Sequence, residues 1–316
     1  MALKETNLAT GVTHPREEPH QARAPALTLN QRRYLAAALL LLPVVLLRLF
    51  TSLYPFAQTI LLSFQNYNPA FPPREYIGLR NFGKLSGDMV VNSSIEFTLI
   101  YVFGSTVFQV IFGVLIASLL NTKFRLRNLA RTINLIPWAI PMVVAALGWR
   151  WLFDDAYGMI PDLLGRLGVE YDWLISPVGA RIAILVVSIW KSTPFVAVTI
   201  LAGLQGVPEE LYEAARVDGA NAWQSFWRIT IPLIMPLTVT IGMFMLVWQL
   251  AVFDLPYAMT AGGPGFSTSV LAQKIYQEIT TLNYGYASSI SVVMFGIVGV
   301  IGVLGLIVFR RVQVSL

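Results

Sequence analysis

The sequence predicts an all-α integral membrane protein with six transmembrane helices. Three observations carry this expectation. Only 12% of the 316 residues are charged, against roughly 25% in soluble domains. Apolar residues make up 56%, and mean hydropathy is +0.64. Six apolar runs, about 34–64, 96–120, 132–153, 180–203, 229–252 and 287–309, reach the ~20 residues a helix needs to cross a bilayer. There is no cysteine, and the two histidines are His14 and His20. Disulfides, thiolate metal sites, Cys nucleophiles and a His-centred triad in the body of the protein are therefore excluded.

Residues 1–30 mix Pro, Glu, His and Arg without apolar periodicity, which predicts a disordered tail ahead of a six-helix body over 31–316. The first run is too long for one straight crossing. Pro43 and Pro55 are expected to bend it, because each removes a helical donor. A polar leader of 33 residues precedes it, and its apolar stretch is about twice a signal h-region, so it reads as a retained span. Arg48 within it either faces a cavity or partner or snorkels to the surface. Trp138, Trp149, Trp151 and Trp173 lie near predicted span ends and read as an interfacial belt. In the last run Gly296, Gly299, Gly302 and Gly305 form a small-residue stripe that another helix can approach closely.

Charge sets the orientation. With the N-terminus in the cytoplasm, thirteen Lys and Arg residues fall inside, five fall outside, and four sit within spans or at their edges. The bias places both termini inside. The basic balance, +5 overall, therefore reflects membrane orientation and not nucleic-acid binding, since no basic segment is long enough to track a phosphate backbone.

The energy source is constrained by what the spans lack. Ion coupling usually places acids inside the membrane. All seventeen acids lie outside mid-span positions, with Glu96 opening the second run and Asp254 following the fifth. The segment Gly78 to Lys84 matches G-x-x-x-x-G-K but lacks the following Ser/Thr and any βα context, so it reads as coincidence. If ATP drives this protein, another chain hydrolyses it.

The loop 204–228 is cytoplasmic by charge and has the chemistry of folded structure. Pro208 suits a helix start, and Glu209 and Glu210 suit its positive end. A helix over Leu211–Val217 is predicted to stop at Asp218-Gly219. Asn221 then caps a second helix, with Gln224 at the capping-box position. Small Ala214 and Ala215 beside charged Glu213 and Arg216 suit a protein groove. A helix merely resting on lipid favours Lys and Arg instead.

At these residues a resemblance becomes specific. Glu213-Ala214-Ala215-Arg216-Val217-Asp218-Gly219-Ala220, followed by Phe226, Ile229 and Pro232, resembles the EAA loop of ABC importer permeases. Pro137-Trp138-Ala139-Ile140-Pro141, Trp149-Arg150-Trp151, Trp190-Lys191, Thr193-Pro194-Phe195, Leu201-Ala202-Gly203-Leu204-Gln205, Thr260-Ala261-Gly262-Gly263-Pro264 and Gly285-Tyr286-Ala287 resemble the carbohydrate-uptake branch. The Gly-Gly-Pro element resembles the first permease of such pairs. The resemblance spans about 36–309. Ala261 replaces a usual glycine, and Arg48 sits where the family is apolar.

The resemblance implies a type I importer permease fold and binding-protein-dependent carbohydrate import. It implies a second permease, two ATPase subunits that carry ATP and Mg2+, and an extracytoplasmic solute-binding protein. It further implies that this chain binds no cofactor and is not itself an enzyme. Glu213, Ala214, Ala215, Arg216, Asp218 and Gly219 are the implied ATPase-coupling residues. For the substrate pathway the candidates are Ser188, Lys191, Ser192 and Phe195 in the fourth span and Trp248 and Gln249 in the fifth. Ser188, Ser192 and Phe195 share one helical face, as do Met245, Trp248 and Gln249. Pathway lining and interhelical packing both remain open for these residues. A disaccharide such as trehalose or maltose is the expected substrate, with glycerol phosphate an alternative. A stand-alone secondary transporter or channel is the competing class.

Overall fold

The structure is a computed structural model that describes residues 28–314. Of the tail expected over 1–30, residues 1–27 lie outside the described residues. Two units meet at Pro55 along the chain. The first contains α1 (Leu29–Arg48), which opens on a capping box between Thr28 and Gln31. Pro43 lies inside α1 without interrupting it. The distortion comes later, as a π turn over Leu49–Leu53. Pro55 follows in the next turn and offers no N–H back to Thr51. Arg48 ends α1 and is exposed.

Helix α2 (Tyr54–Ser63) leads into the second unit, where a two-residue hairpin pairs β1 (Gln65–Asn66) with β2 (Glu75–Tyr76), Gln65 opposite Tyr76. Helix α3 (Arg80–Gly87) takes up most of the Gly78–Lys84 segment. Its Asn81 is buried and donates to the Ser63 and Gln65 carbonyls at 3.0 Å. That is a structural staple and not a phosphate cradle. Asp88 then caps α4 (Met89–Asn121) by accepting from the Val90 and Val91 amides.

The run expected as a single span over 132–153 is two helices. They are α5 (Arg127–Ala139) and α6 (Met142–Leu152), bent by 90°. The cause is local. Pro137 and Pro141 each lack an N–H, and Ile140, preceding Pro141, takes extended backbone at φ −69°, ψ 135°. The remaining elements are α7 (Met159–Arg166), α8 (Pro177–Leu204), α9 (Glu209–Val217), α10 (Ala222–Ser225), α11 (Ile231–Leu250), α12 (Asp254–Thr260), α13 (Leu271–Thr280) and α14 (Tyr284–Val314). A π turn over Phe226–Thr230 joins α10 to α11. Among the described residues, five stretches are long and apolar enough to cross a membrane, six with the bent pair.

The core lies between α4 and α8. Phe97, Tyr101 and Val102 meet Ala183, Ile184 and Val187 toward one end. Val114, Ala117 and Leu120 meet Val196, Ile200 and Leu204 toward the other, with Ile234 and Ile241 of α11 closing it. Within lipid such packing holds through dispersion contacts and shape, because the bilayer is as apolar as the core. The belt expected of the four tryptophans is corrected here. Trp149 packs on Phe153 and Trp190, Trp173 packs on Phe153 and Tyr171, and Trp138 stacks on Phe195. Of the four tryptophans only Trp151 has no ring partner, and it is the most exposed. In the glycine stripe Gly305 meets Met243, whereas Gly296, Gly299 and Gly302 face open space.

The end of the unit that carries α12 and α13 is tied by charge. Lys274 pairs with Glu278 at 2.6 Å and lies 3.9 Å from Asp88. Tyr286 donates to Asp88 at 2.8 Å. Burial works against the Asp88 charge, but the Tyr286 hydroxyl, the two capping amides and Lys274 together hold its carboxyl below the usual range. Arg181 pairs with Glu96 at 2.8 Å and donates to the Ser267 carbonyl.

Candidate functional site

The helix–turn–helix forms as its capping chemistry dictates. Pro208, expected at the first helical position, is the cap residue of α9, which begins one position later, and Glu209 and Glu210 fill the first turn. Gly219 adopts φ +81°. The Gly219 amide bonds the Arg216 carbonyl, and the Ala220 amide bonds the Ala215 carbonyl. That pair of bonds is the Schellman arrangement, which favours glycine at the left-handed position. Asn221 and Gln224 form the expected capping box at 2.9 Å in both directions.

Two contacts hold α9 to the span ends. The Tyr212 hydroxyl meets the Thr230 Oγ1 at 3.0 Å. Lys123, in the α4–α5 loop, donates to both oxygens of Glu209 at 2.9 and 3.2 Å. That hydrogen bond and the Lys123 charge lower the Glu209 pKa. A hollow of about 390 Å³, lined in part by Tyr212, Arg216 and Thr230, lies beneath α9. Glu213, Ala214, Arg216, Asp218 and Gly219 are exposed, while Ala215 is half-buried. Val217 is 88% exposed. An apolar side chain that exposed on a short charged helix suits a partner groove.

The pathway candidates separate into two groups. Ser188 and Gln249 are buried and turn into each other: Gln249 Nε2 donates to Ser188 Oγ at 3.1 Å. Ser188 Oγ donates to the Tyr101 hydroxyl at 3.0 Å, and Tyr101 donates to Gln249 Oε1 at 3.3 Å. Gln109 Nε2 adds a bond to the Ser188 carbonyl at 3.1 Å. This knot joins α4, α8 and α11. Sequence reasoning did not single out Tyr101 or Gln109. The available signal was the polar series Tyr101, Ser105, Gln109 at i, i+4, i+8 on an otherwise apolar helix.

The other group lies around the break between α5 and α6. Lys191 is buried, and its Nζ donates to the Trp138 carbonyl at 2.7 Å. One turn along α8, the Phe195 ring stacks on Trp138 at 5.7 Å between centroids and 17° between planes. Phe195 continues to Phe244 at 5.9 Å and Phe244 to Trp248 at 5.5 Å. The result is a four-ring ladder across α5, α8 and α11. Trp248, at its end, is 57% exposed. Ser192 is buried beside Lys191. No cluster of potential metal ligands occurs among the described residues.

Comparison with known proteins adds the following. Residues 109–314 match the family described as binding-protein-dependent transport system inner membrane component. The sulfoquinovosyl glycerol transport system permease SmoG of Agrobacterium fabrum is 40% identical over 270 residues, 83% of this chain and 86% of that protein. The trehalose/maltose transport system permease MalF of Thermococcus litoralis is 33% identical over 261 residues, 82% and 88% of the two chains. A bacterial alginate ABC transporter, solved in complex with a pentasaccharide-bound periplasmic protein, superposes with a TM-score of 0.77 at 25% identity, covering 89% of this chain and 96% of that one.

Proposed function

Because the chain belongs to the family of inner membrane components of binding-protein-dependent transport systems, we propose that it forms half of the translocation pathway of an ATP-driven carbohydrate importer, with ATP and Mg2+ held by separate ATPase subunits. The observation that carries this reading is α9, fixed to the span ends by Tyr212 and Lys123 while Glu213, Ala214 and Val217 stay open. In this reading α9 docks on the ATPase, Glu213 meets a basic residue there, and Arg216, Asp218, Gly219 and Ala215 set the angle of approach. Closure of the ATPase dimer on ATP moves α9 as a rigid element and turns the spans outward, and hydrolysis returns them. Both termini lie in the cytoplasm, α9 faces the ATPases, and the α12–α13 end faces the solute-binding protein. A second homologous permease completes the pathway.

The ring ladder from Trp138 to Trp248 supplies apolar faces of the kind that cover the flat sides of a sugar. Lys191, Ser192 and Phe195 line its middle, with Ser188 and Gln249 bracing it from behind. The substrate is a glycoside or short oligosaccharide, with trehalose and maltose the first to assay and a sulfonated glycoside and glycerol phosphate following. The test is Glu213→Lys in the reconstituted complex with its ATPase, second permease and binding protein. Uptake and substrate-stimulated ATP hydrolysis are lost while the spans insert normally. Normal uptake in that variant refutes the docking role of α9.

A further inference from the structure

We infer that the loop from Lys123 to Leu129 is a headgroup site for an anionic phospholipid, adjoining α9. The inference rests on the orientation proposed above. Three cations, Lys123, Arg125 and Arg127, line a hollow of about 500 Å³ together with Phe124, Leu126 and Leu129. Neither Arg125 nor Arg127 has an ion-pair partner among the described residues. The hollow is braced from the protein side. Arg131 donates to the Leu120 carbonyl at 3.1 Å, and Thr122 Oγ1 donates to the Leu119 carbonyl at 2.7 Å. Charge complementarity therefore calls for an anion.

What makes that anion a lipid is the surface continuing from the hollow. Leu126, Leu129, Ile133 and Ile136 are all exposed; Leu126 caps α5, and the i, i+4, i+7 spacing of Leu129, Ile133 and Ile136 puts them along one face of it. Cations at one end of an exposed apolar stripe match a phosphodiester with acyl chains trailing from it. A free phosphate uses the cations and leaves the stripe idle. Lys123 is shared between this site and Glu209, the first residue of α9. The headgroup therefore sits one side chain away from the element proposed to couple the spans to ATP.

The experiment uses the assembled transporter in nanodiscs of phosphatidylcholine alone or of an equimolar mixture with phosphatidylglycerol. Retained lipid is read by native mass spectrometry and turnover by uptake-coupled ATP hydrolysis. The wild type retains phosphatidylglycerol selectively and turns over faster in the mixture. The double variant Arg125→Gln with Arg127→Gln loses that selectivity by roughly 30-fold, about fivefold per cation, and its turnover no longer depends on composition. Unchanged selectivity in the variant overturns the proposal. So does restoration of turnover in phosphatidylcholine discs by soluble glycerol phosphate, which makes the anion a free one. Loss of ATPase subunits from the variant in detergent also overturns it, by assigning the cations to a protein contact. The chain has no cysteine, so Asn128→Cys gives one site for an impermeant maleimide. Labelling from the cytoplasmic side supports the lipid's placement in the inner leaflet, and labelling from the outside refutes the orientation independently of the lipid result.

Discussion

Replacing Lys191 by Met asks what a buried cation does in the middle of a span. The Trp138 carbonyl points toward residues that cannot serve it. Pro141 has no N–H, and Met142 begins a helix turned by 90°. The carbonyl's bond from Lys191 Nζ, at 2.7 Å, is charge-assisted. Bonds of this kind contribute about 1.5–3 kcal/mol, and the orphaned carbonyl adds to the loss. Removing a buried ammonium relieves its desolvation and offsets part of that. The net expectation is a loss of about 1–2 kcal/mol, read as an apparent melting midpoint lowered by several degrees in the purified permease pair. Lys191→Arg retains a charged donor and keeps most of the stability. In transport, a residue that positions the bend lowers Vmax and leaves the apparent KM for sugar in place. A sugar ligand raises KM. A Met variant with wild-type melting and wild-type uptake refutes the pinning argument, and one with a raised KM alone shows that Lys191 contacts substrate.

Other expectations follow from the same geometry. Ala261 caps α12 at φ 51°, ψ 27°, a left-handed conformation that costs a non-glycine residue about 1–2 kcal/mol. Ala261→Gly therefore stabilises by about 0.5–1 kcal/mol after the entropy of the unfolded chain is counted, and a lowered melting midpoint contradicts this. Ser188→Ala strands Gln249 Nε2 and takes one bond from the Tyr101 hydroxyl, at a cost of about 1–3 kcal/mol, whereas Trp248→Ala leaves stability unchanged and raises the KM for sugar. Equal melting losses in the two variants defeat that division. The folded-state pKa of Asp88 is lowered, so its stabilisation is present above the ordinary carboxylate pKa and is lost as pH falls through the lowered value. Asp88→Asn flattens this acid limb in a melting-versus-pH series, and an unchanged limb refutes the assignment.

Much of the fold was legible because hydropathy and capping are local. The runs at 96–120 and 180–203 became helices longer than the apolar segments, since Asp88 and Ser176 cap them outside the membrane-like stretch. The α9–α10 turn was readable to the residue, because Gly219, Asn221 and Gln224 act on neighbours three to five positions away. The break at Pro141 left its signal in the sequence, but hydropathy carries no direction and cannot tell a crossing from a right-angle turn. Tryptophan was misleading because its amphipathic ring suits both an interface and a core, and Trp149 and Trp173 found aromatic neighbours far along the chain. Ser188 and Gln249 were found as polar residues on helical faces. Their mutual pairing is tertiary and joins residues 61 positions apart.

The triad of Tyr101, Ser188 and Gln249 has a consequence for descent. Each member satisfies a buried polar neighbour, so a one-residue change leaves an orphaned donor or acceptor in hydrocarbon. A fully apolar trio is stable too, but every single-step route to it crosses such an orphan. The three should pass through a lineage together or be exchanged together, and a natural variant carrying two of them should be found with a compensating change at the third position.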